Sequence, residues 1–189
     1  MLRSDRTALS VALSQLDKVR RILPCACCAE RLYRHYYSPS DSRYEPVFRL
    51  ALDDAWSIAR GSLSAAELRP VPESSVPDED ELEGFPYAQD AAIAVVELCN
   101  GINTNSVNNF IECLEQGYNV VDNKVLNLLV RAGSISEEHE AEIIEHPIVQ
   151  AELVRQSMDI RACAERSIAN FPELVDMLRE RSVLTDLLS

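Results

Sequence analysis

Apolar residues recur along this chain at steps of three and four, and nowhere at a sustained step of two. Leu9, Leu13, Leu16 and Leu23, with Val19 and Ile22 beside them, set the pattern, and Val107, Phe110, Ile111 and Leu114 repeat it. A step of three to four is one face of an α-helix, whereas a half-buried strand alternates. The spacing therefore predicts an all-α fold, a single helical domain over residues 1–189. Its form is a multi-helix bundle of about seven to eight helices with one long acidic loop. With 189 residues the chain can bury roughly 70% of its unfolded surface, so neither a metal nor a disulfide is needed to hold it.

Breakers and caps divide the pattern. A first helix is expected over residues 5–22, and Pro24 would sit in the first turn of a second, where its missing N–H costs little. That second helix continues over residues 25–37, and the Ser-Pro-Ser-Asp-Ser run at 38–42 is a loop. A third helix, residues 45–60, carries the only tryptophan, Trp56, among Val47, Leu50, Ala51 and Ala55, which makes Trp56 a core residue. After a helical turn at 64–68, Pro70, Pro72 and Pro77 exclude a long regular element from residues 69–84. An alanine-rich helix follows to about Asn100, with Gly101 as its stop. The next runs from Ser106 towards Gly133, with Asp122 and Asn123 either breaking or flanking it. Ser136 caps a helix with acids in its first turn, Pro147 starts another running to about Ser167, and a last one holds Leu174, Val175 and Leu178.

Charge is unevenly placed. The net charge is −13, yet residues 1–70 hold 11 Lys/Arg against 8 Asp/Glu, while the remainder holds 7 against 23. Such a field repels phosphate backbones and favours a basic partner, so direct nucleic-acid binding is not expected. The acidic candidates are Glu73, Asp78, Glu79, Asp80, Glu81 and Glu83 in the proline-punctuated loop, joined by Glu137, Glu138 and Glu142 on the Ser136 helix. The longest apolar runs, such as residues 91–96, are far short of the ~20 residues of a membrane span. No signal peptide opens the chain, so the expectation is a cytoplasmic protein without membrane contact.

Candidate chemistry is sparse. The five glycines stand singly, so no phosphate-cradling loop is present. His139 and His146 are seven residues apart, not the four of a two-histidine metal helix. Asp53 and Asp54 are adjacent, hence about 100° apart around a helix, and cannot address one site alone. Cys25 and Cys28 share a helix face but lack a second ligand pair, while Cys99, Cys113 and Cys163 sit in apolar settings, so reduced thiols and no metal are expected. No catalytic residues and no cofactor are assigned, and the chain is read as not an enzyme.

Four segments together resemble the YjaG-like family of small bacterial helical proteins, a domain of unknown function. They are residues 23–37 (LPCACCAERLYRHYY), 52–61 (LDDAWSIARG), 76–98 (VPDEDELEGFPYAQDAAIAVVEL) and 146–156 (HPIVQAELVRQ). The resemblance covers residues 10–165 and implies a single all-α domain. Its matching residues have packing explanations: Glu30 and Arg31 pairing within the bundle, Trp56, Phe85 and Tyr87 as anchors, and Pro86 and Pro147 as helix starts. It also implies a context, since such proteins resemble small acidic immunity factors encoded beside bacterial toxins.

The functional expectation is a non-enzymatic acidic binding protein, specifically an immunity protein that neutralises a basic, nuclease-like toxin by direct contact. The alternatives are a metal-dependent helical-bundle hydrolase, with ligands among the acidic residues, and an oligomeric scaffold.

Overall fold

A computed structural model describes residues 6–36, 45–77, 87–131, 139–165 and 171–184. The described residues form eight α-helices and two short 3-10 turns, with no strand among them. The helices are α1 (Arg6–Ser14), α2 (Lys18–Tyr36), α3 (Glu45–Arg60), α4 (Ala88–Thr104), α5 (Val107–Arg131), α6 (His139–Glu145), α7 (Pro147–Glu165) and α8 (Phe171–Leu184). The 3-10 turns are Ala65–Glu67, where the sequence predicts a helical turn at 64–68, and Glu73–Ser75, in the segment that the prolines keep irregular. The all-α expectation holds.

The hub is α2. It packs on α3, α4, α5, α7 and α8, and every residue from Ile22 to Tyr33 is buried. A helix surrounded in this way has no solvent face and needs small side chains where its neighbours crowd in. Pro24, Cys25, Ala26, Cys27, Cys28 and Ala29 supply that run. The cysteines are thus packing residues, and all six in the chain are buried and free. Around the hub, α4 and α5 form a hairpin over the link at Asn105 and Ser106, with Asn105 in the left-handed region at φ 56°.

Several helix boundaries depart from the sequence pattern. The first predicted helix is two helices: α1 ends at Ser14 and α2 begins at Lys18, because Asp17 caps α2, its Oδ1 accepting the Arg20 backbone N–H at 2.9 Å. Apolar spacing runs across the break because Leu13 and Leu16 both reach the core. Pro24 consequently lies inside α2, not in its first turn. Asp122 and Asn123 do not interrupt α5. The Ser136 cap and the end of the Pro147 helix beyond Glu165 lie outside the described residues.

Gly101 is not a stop. It lies inside α4, which continues to Thr104, and a Cβ there would meet the buried Phe110 ring at 2.7 Å. Gly117 on α5 has the same use, since its missing Cβ makes room for Cys28 Sγ of α2 and the Gln156 and Glu152 side chains of α7. Both are close-approach positions, where two helices meet backbone to side chain.

Candidate functional site

Ionic groups in the core mark where the helices are locked together. Glu30 is 1% and Arg31 3% exposed, at the centre of the buried run of α2. Both pair within the bundle, as the sequence reading expected, but with different partners. Adjacent residues point about 100° apart on a helix, so each meets a different neighbour.

Glu30 faces α3. Its carboxylate accepts two bonds from the Arg49 guanidinium, at 2.7 and 2.9 Å, one from Arg34 Nε at 3.0 Å and one from the Trp56 indole N–H at 3.0 Å. Arg49 also donates to Asp53 and stands over the Tyr33 ring at 5.3 Å. Burial pushes the Glu30 carboxyl up, but the guanidiniums and the indole outweigh it and hold it below the ordinary carboxylate range. Trp56 is 1% exposed, in the core as its sequence setting predicts.

Arg31 faces α7. Its Nη2 donates to Glu152 Oε1 and its Nη1 to Asp159 Oδ2, each at 2.9 Å, and both acids are almost wholly buried. Burial pulls the guanidinium down, yet the two carboxylates hold it well above its ordinary value. Satisfaction is incomplete, because Arg31 Nε and Glu152 Oε2 are buried without a hydrogen bond. A buried pair of this kind adds little net stability, because the cost of desolvating the charges offsets their attraction.

One helix closes both networks. From α8, Arg179 donates to Asp53 and stacks over Trp56 at 5.9 Å, while Arg181 donates to Asp159. Asp54, one residue from Asp53, turns the other way and grips Arg69 through its backbone N–H at 3.1 Å, Nε at 2.7 Å and Nη2 at 2.5 Å. The two adjacent aspartates thus serve different partners, as their 100° separation requires. Arg69 anchors the start of the proline-rich segment to α3.

The thiols contribute no nucleophile. Burial raises all six, Cys99 and Cys163 to about 12, and an activated cysteine needs the opposite shift. Cys25 Sγ lies 3.3 Å from the Phe110 carbonyl oxygen and Cys113 Sγ 3.5 Å from that of Cys25. Among the described residues, no group of three or more His, Cys, Asp or Glu is placed to hold a metal ion. His146 instead accepts the Ile148 backbone N–H through Nδ1 at the start of α7.

Of the acidic candidates, Glu73 stands exposed in its 3-10 turn and Glu142 exposed on α6. Asp78, Glu79, Asp80, Glu81, Glu83, Glu137 and Glu138 lie outside the described residues, as does Phe85. Beyond the pairing of Glu30 and Arg31, the sequence reading missed the internal network. Its signal was present: Glu30 and Arg31 interrupt an otherwise apolar run, and Glu152, Gln156 and Asp159 follow the i, i+4, i+7 step of one helix face.

The arginines that hold this lattice leave little positive charge unmatched. Among arginines with described side chains, all but Arg21 lie within ion-pair distance of a carboxylate, and Arg21 donates to the Leu13 and Ser14 carbonyl oxygens. The family model "Protein of unknown function (DUF416)" matches residues 9–186. The chain belongs to the DUF416 family. Similar in fold is the crystal structure of a DUF416 family protein from Shewanella baltica OS155, with 16% sequence identity, 92% of each chain covered and a TM-score of 0.67. No curated protein matches the chain. At that identity the likeness shows the fold of the DUF416 family and nothing of its role. No described helix is long and apolar enough to cross a membrane.

Proposed function

We propose that this DUF416 protein is a non-enzymatic binding protein whose acidic surface docks a basic protein. The specific form proposed is an immunity protein that neutralises a nuclease-like toxin of the same cytoplasm. The supporting observation is how the fold distributes its charge. Arginines with described side chains are engaged by carboxylates in the core and on the helix faces, while the chain as a whole carries a net charge of −13. Glu73, Glu145, Glu173 and Glu180 are exposed, and no ion pair holds them among the described residues. Within the family, the four segments resembling YjaG-like members support placing the chain near them, with the toxin-side context that this implies.

The carrier residues of the proposal are Glu73 with Asp78, Glu79, Asp80, Glu81 and Glu83, assisted by Glu137, Glu138 and Glu142. Solvated charges at an interface tune association rate and act over a Debye length of ~8 Å at physiological salt. The test is to co-purify the partner and measure association at two ionic strengths for wild type and for the variant Asp78→Asn, Glu79→Gln, Asp80→Asn, Glu81→Gln. Slower, less salt-sensitive association in the variant supports the reading. Unchanged rate and salt dependence overturn it.

A further inference from the structure

Two of the polar atoms that the core leaves without a hydrogen bond belong to one ion pair. Glu152 of α7 is 0% exposed, and its Oε1 accepts from Arg31 Nη2 at 2.9 Å and from Gln156 Nε2 at 3.1 Å. Its Oε2 is buried without a hydrogen bond, and so is Arg31 Nε. Each of these atoms is the covalent twin of one in the 2.9 Å bond. Oε2 shares Cδ with Oε1, and Nε shares Cζ with Nη2, on the side of the guanidinium fork where both N–H groups point the same way. An unmet donor and an unmet acceptor thus stand at the edge of a single contact.

An arginine and a glutamate avoid this by closing into a two-bond fork. Here both ends are pinned elsewhere. Arg31 Nη1 donates to Asp159 Oδ2 at 2.9 Å, and Glu152 Oε1 is held by Gln156, whose Nε2 also donates to the Leu114 carbonyl oxygen at 3.0 Å. The fork therefore stays open on its Nε side. A further cation stands at the same oxygen: Arg155 Nη1 lies 3.7 Å from Glu152 Oε2, within ion-pair range but beyond a hydrogen bond. A polar gap of that length is one that a water molecule spans. Leaving a buried donor or acceptor unmet costs about 1–3 kcal/mol for each group, more where the group is charged.

We propose that one water molecule is built into the core between α2 and α7, accepting the Arg31 Nε–H and donating to Glu152 Oε2, with Arg155 Nη1 as a second donor to it. The chemistry selects water. The occupant must accept from a guanidinium and donate to a carboxylate within one contact. A metal cation cannot do the first, and chloride cannot do the second. The bond count fits as well, since a buried water makes about three hydrogen bonds to polar groups that would otherwise go unmet. The water completes the Arg31 network, and because it is enclosed by α2 and α7 it leaves only when that part of the core opens. The site stands apart from the acidic surface, and its success or failure leaves the docking proposal unaffected.

Crystals of the full chain locate the water, and NMR of the full chain detects it in solution. The expected map holds one ordered water about 2.7–3.2 Å from both Arg31 Nε and Glu152 Oε2. The expected spectrum holds a cross-peak from the Arg31 Nε–H proton to the water frequency, with opposite sign in laboratory-frame and rotating-frame experiments, which separates a long-lived water from simple proton exchange. A map without that water overturns the proposal, whether or not Nε and Oε2 have closed into a direct bond. An observed Arg31 Nε–H resonance without the cross-peak overturns it too. Arg155→Met, at a part-exposed position, takes away one donor and leaves the Arg31–Glu152 pair, so the water should remain and exchange faster. Exchange as slow as in wild type overturns the part assigned to Arg155.

Discussion

Glu30 and Arg31 are neighbours in sequence and serve different helices: Glu30 is bonded to Arg49 and Trp56 of α3, Arg31 to Glu152 and Asp159 of α7. A single turn of the central helix therefore fixes the rotation of two flanking helices. Apolar packing alone would tolerate sliding or rotation, since dispersion contacts carry little direction, whereas a displaced carboxylate would be left buried without a partner. From the outer side α8 repeats the arrangement, with Arg179 reaching Asp53 and Arg181 reaching Asp159.

Removing Arg31 is expected to be worse than removing the whole cluster. Arg31→Met strands two almost fully buried carboxylates and should cost about 3–5 kcal/mol. Arg31→Met with Glu152→Leu and Asp159→Leu leaves Arg155 and Arg181, which are part-exposed and can turn to water, so much of the loss should return. Urea denaturation of both variants checks this. A triple variant no more stable than the single one contradicts it.

The apolar period gave away the helices, and caps and prolines most of their ends, because those signals are local. What escaped was partner choice. The Glu30–Arg31 dipeptide announces buried charge only once α2 is known to be surrounded, and no local signal tells which helix each residue meets. Gly101 misled for a related reason: a glycine near a helix end reads as a stop, while here the Phe110 ring across the hairpin requires it. The acidic residues were readable as a charge excess, and their arrangement on the surface was not, because exposed charges carry no packing constraint.

Trp56 should separate packing from hydrogen bonding. Trp56→Ala removes a fully buried indole and should cost about 3–5 kcal/mol. Trp56→Phe keeps much of the volume but takes one donor from Glu30, at a cost of about 1–3 kcal/mol of unmet hydrogen bonding. Combining Trp56→Phe with Glu30→Gln in a double-mutant cycle should show coupling between the two sites. An Ala variant that melts with wild type would mean the residue is not core.

Acid should destabilise the protein through Glu30 and Asp54. Both carboxyls lie below their ordinary values in the folded state, Glu30 because its donors outweigh burial, Asp54 chiefly through its hydrogen bonds from Arg69. A lowered folded-state pKa gives stability that is present above the unfolded value, ~3.9 for Asp and ~4.3 for Glu, and lost as pH falls through the folded one. The melting temperature should therefore decline below about pH 4, and Asp54→Asn should make that decline shallower. Thermal melts between pH 2.5 and 7 provide the check. An identical acid slope in the variant would remove Asp54 from the account.

The thiols should be silent until the fold opens. All six are buried with raised pKa, so a disulfide exchange reagent at pH 8 should label the native chain only at the rate of unfolding and label six sites in denaturant. Rapid native labelling of any one cysteine would place it outside the core.

Gly101→Ala sets two effects of opposite sign against each other. In an exposed helix the change would stabilise by about 1 kcal/mol, because alanine loses less backbone entropy and is the best helix former. Here the new methyl carbon stands 2.7 to 3.0 Å from three atoms of the Phe110 ring, and that ring is fully buried at the α4–α5 hairpin, so it has no solvent into which to swing. Overpacking of this kind costs about 1–3 kcal/mol and should win. Phe110→Leu alone should also destabilise by opening a cavity. Together they should cost less than the sum of the two, since the shorter side chain vacates the space the methyl needs. Strict additivity in denaturant melts of the two single variants and the double would show that residues 101 and 110 do not share that space.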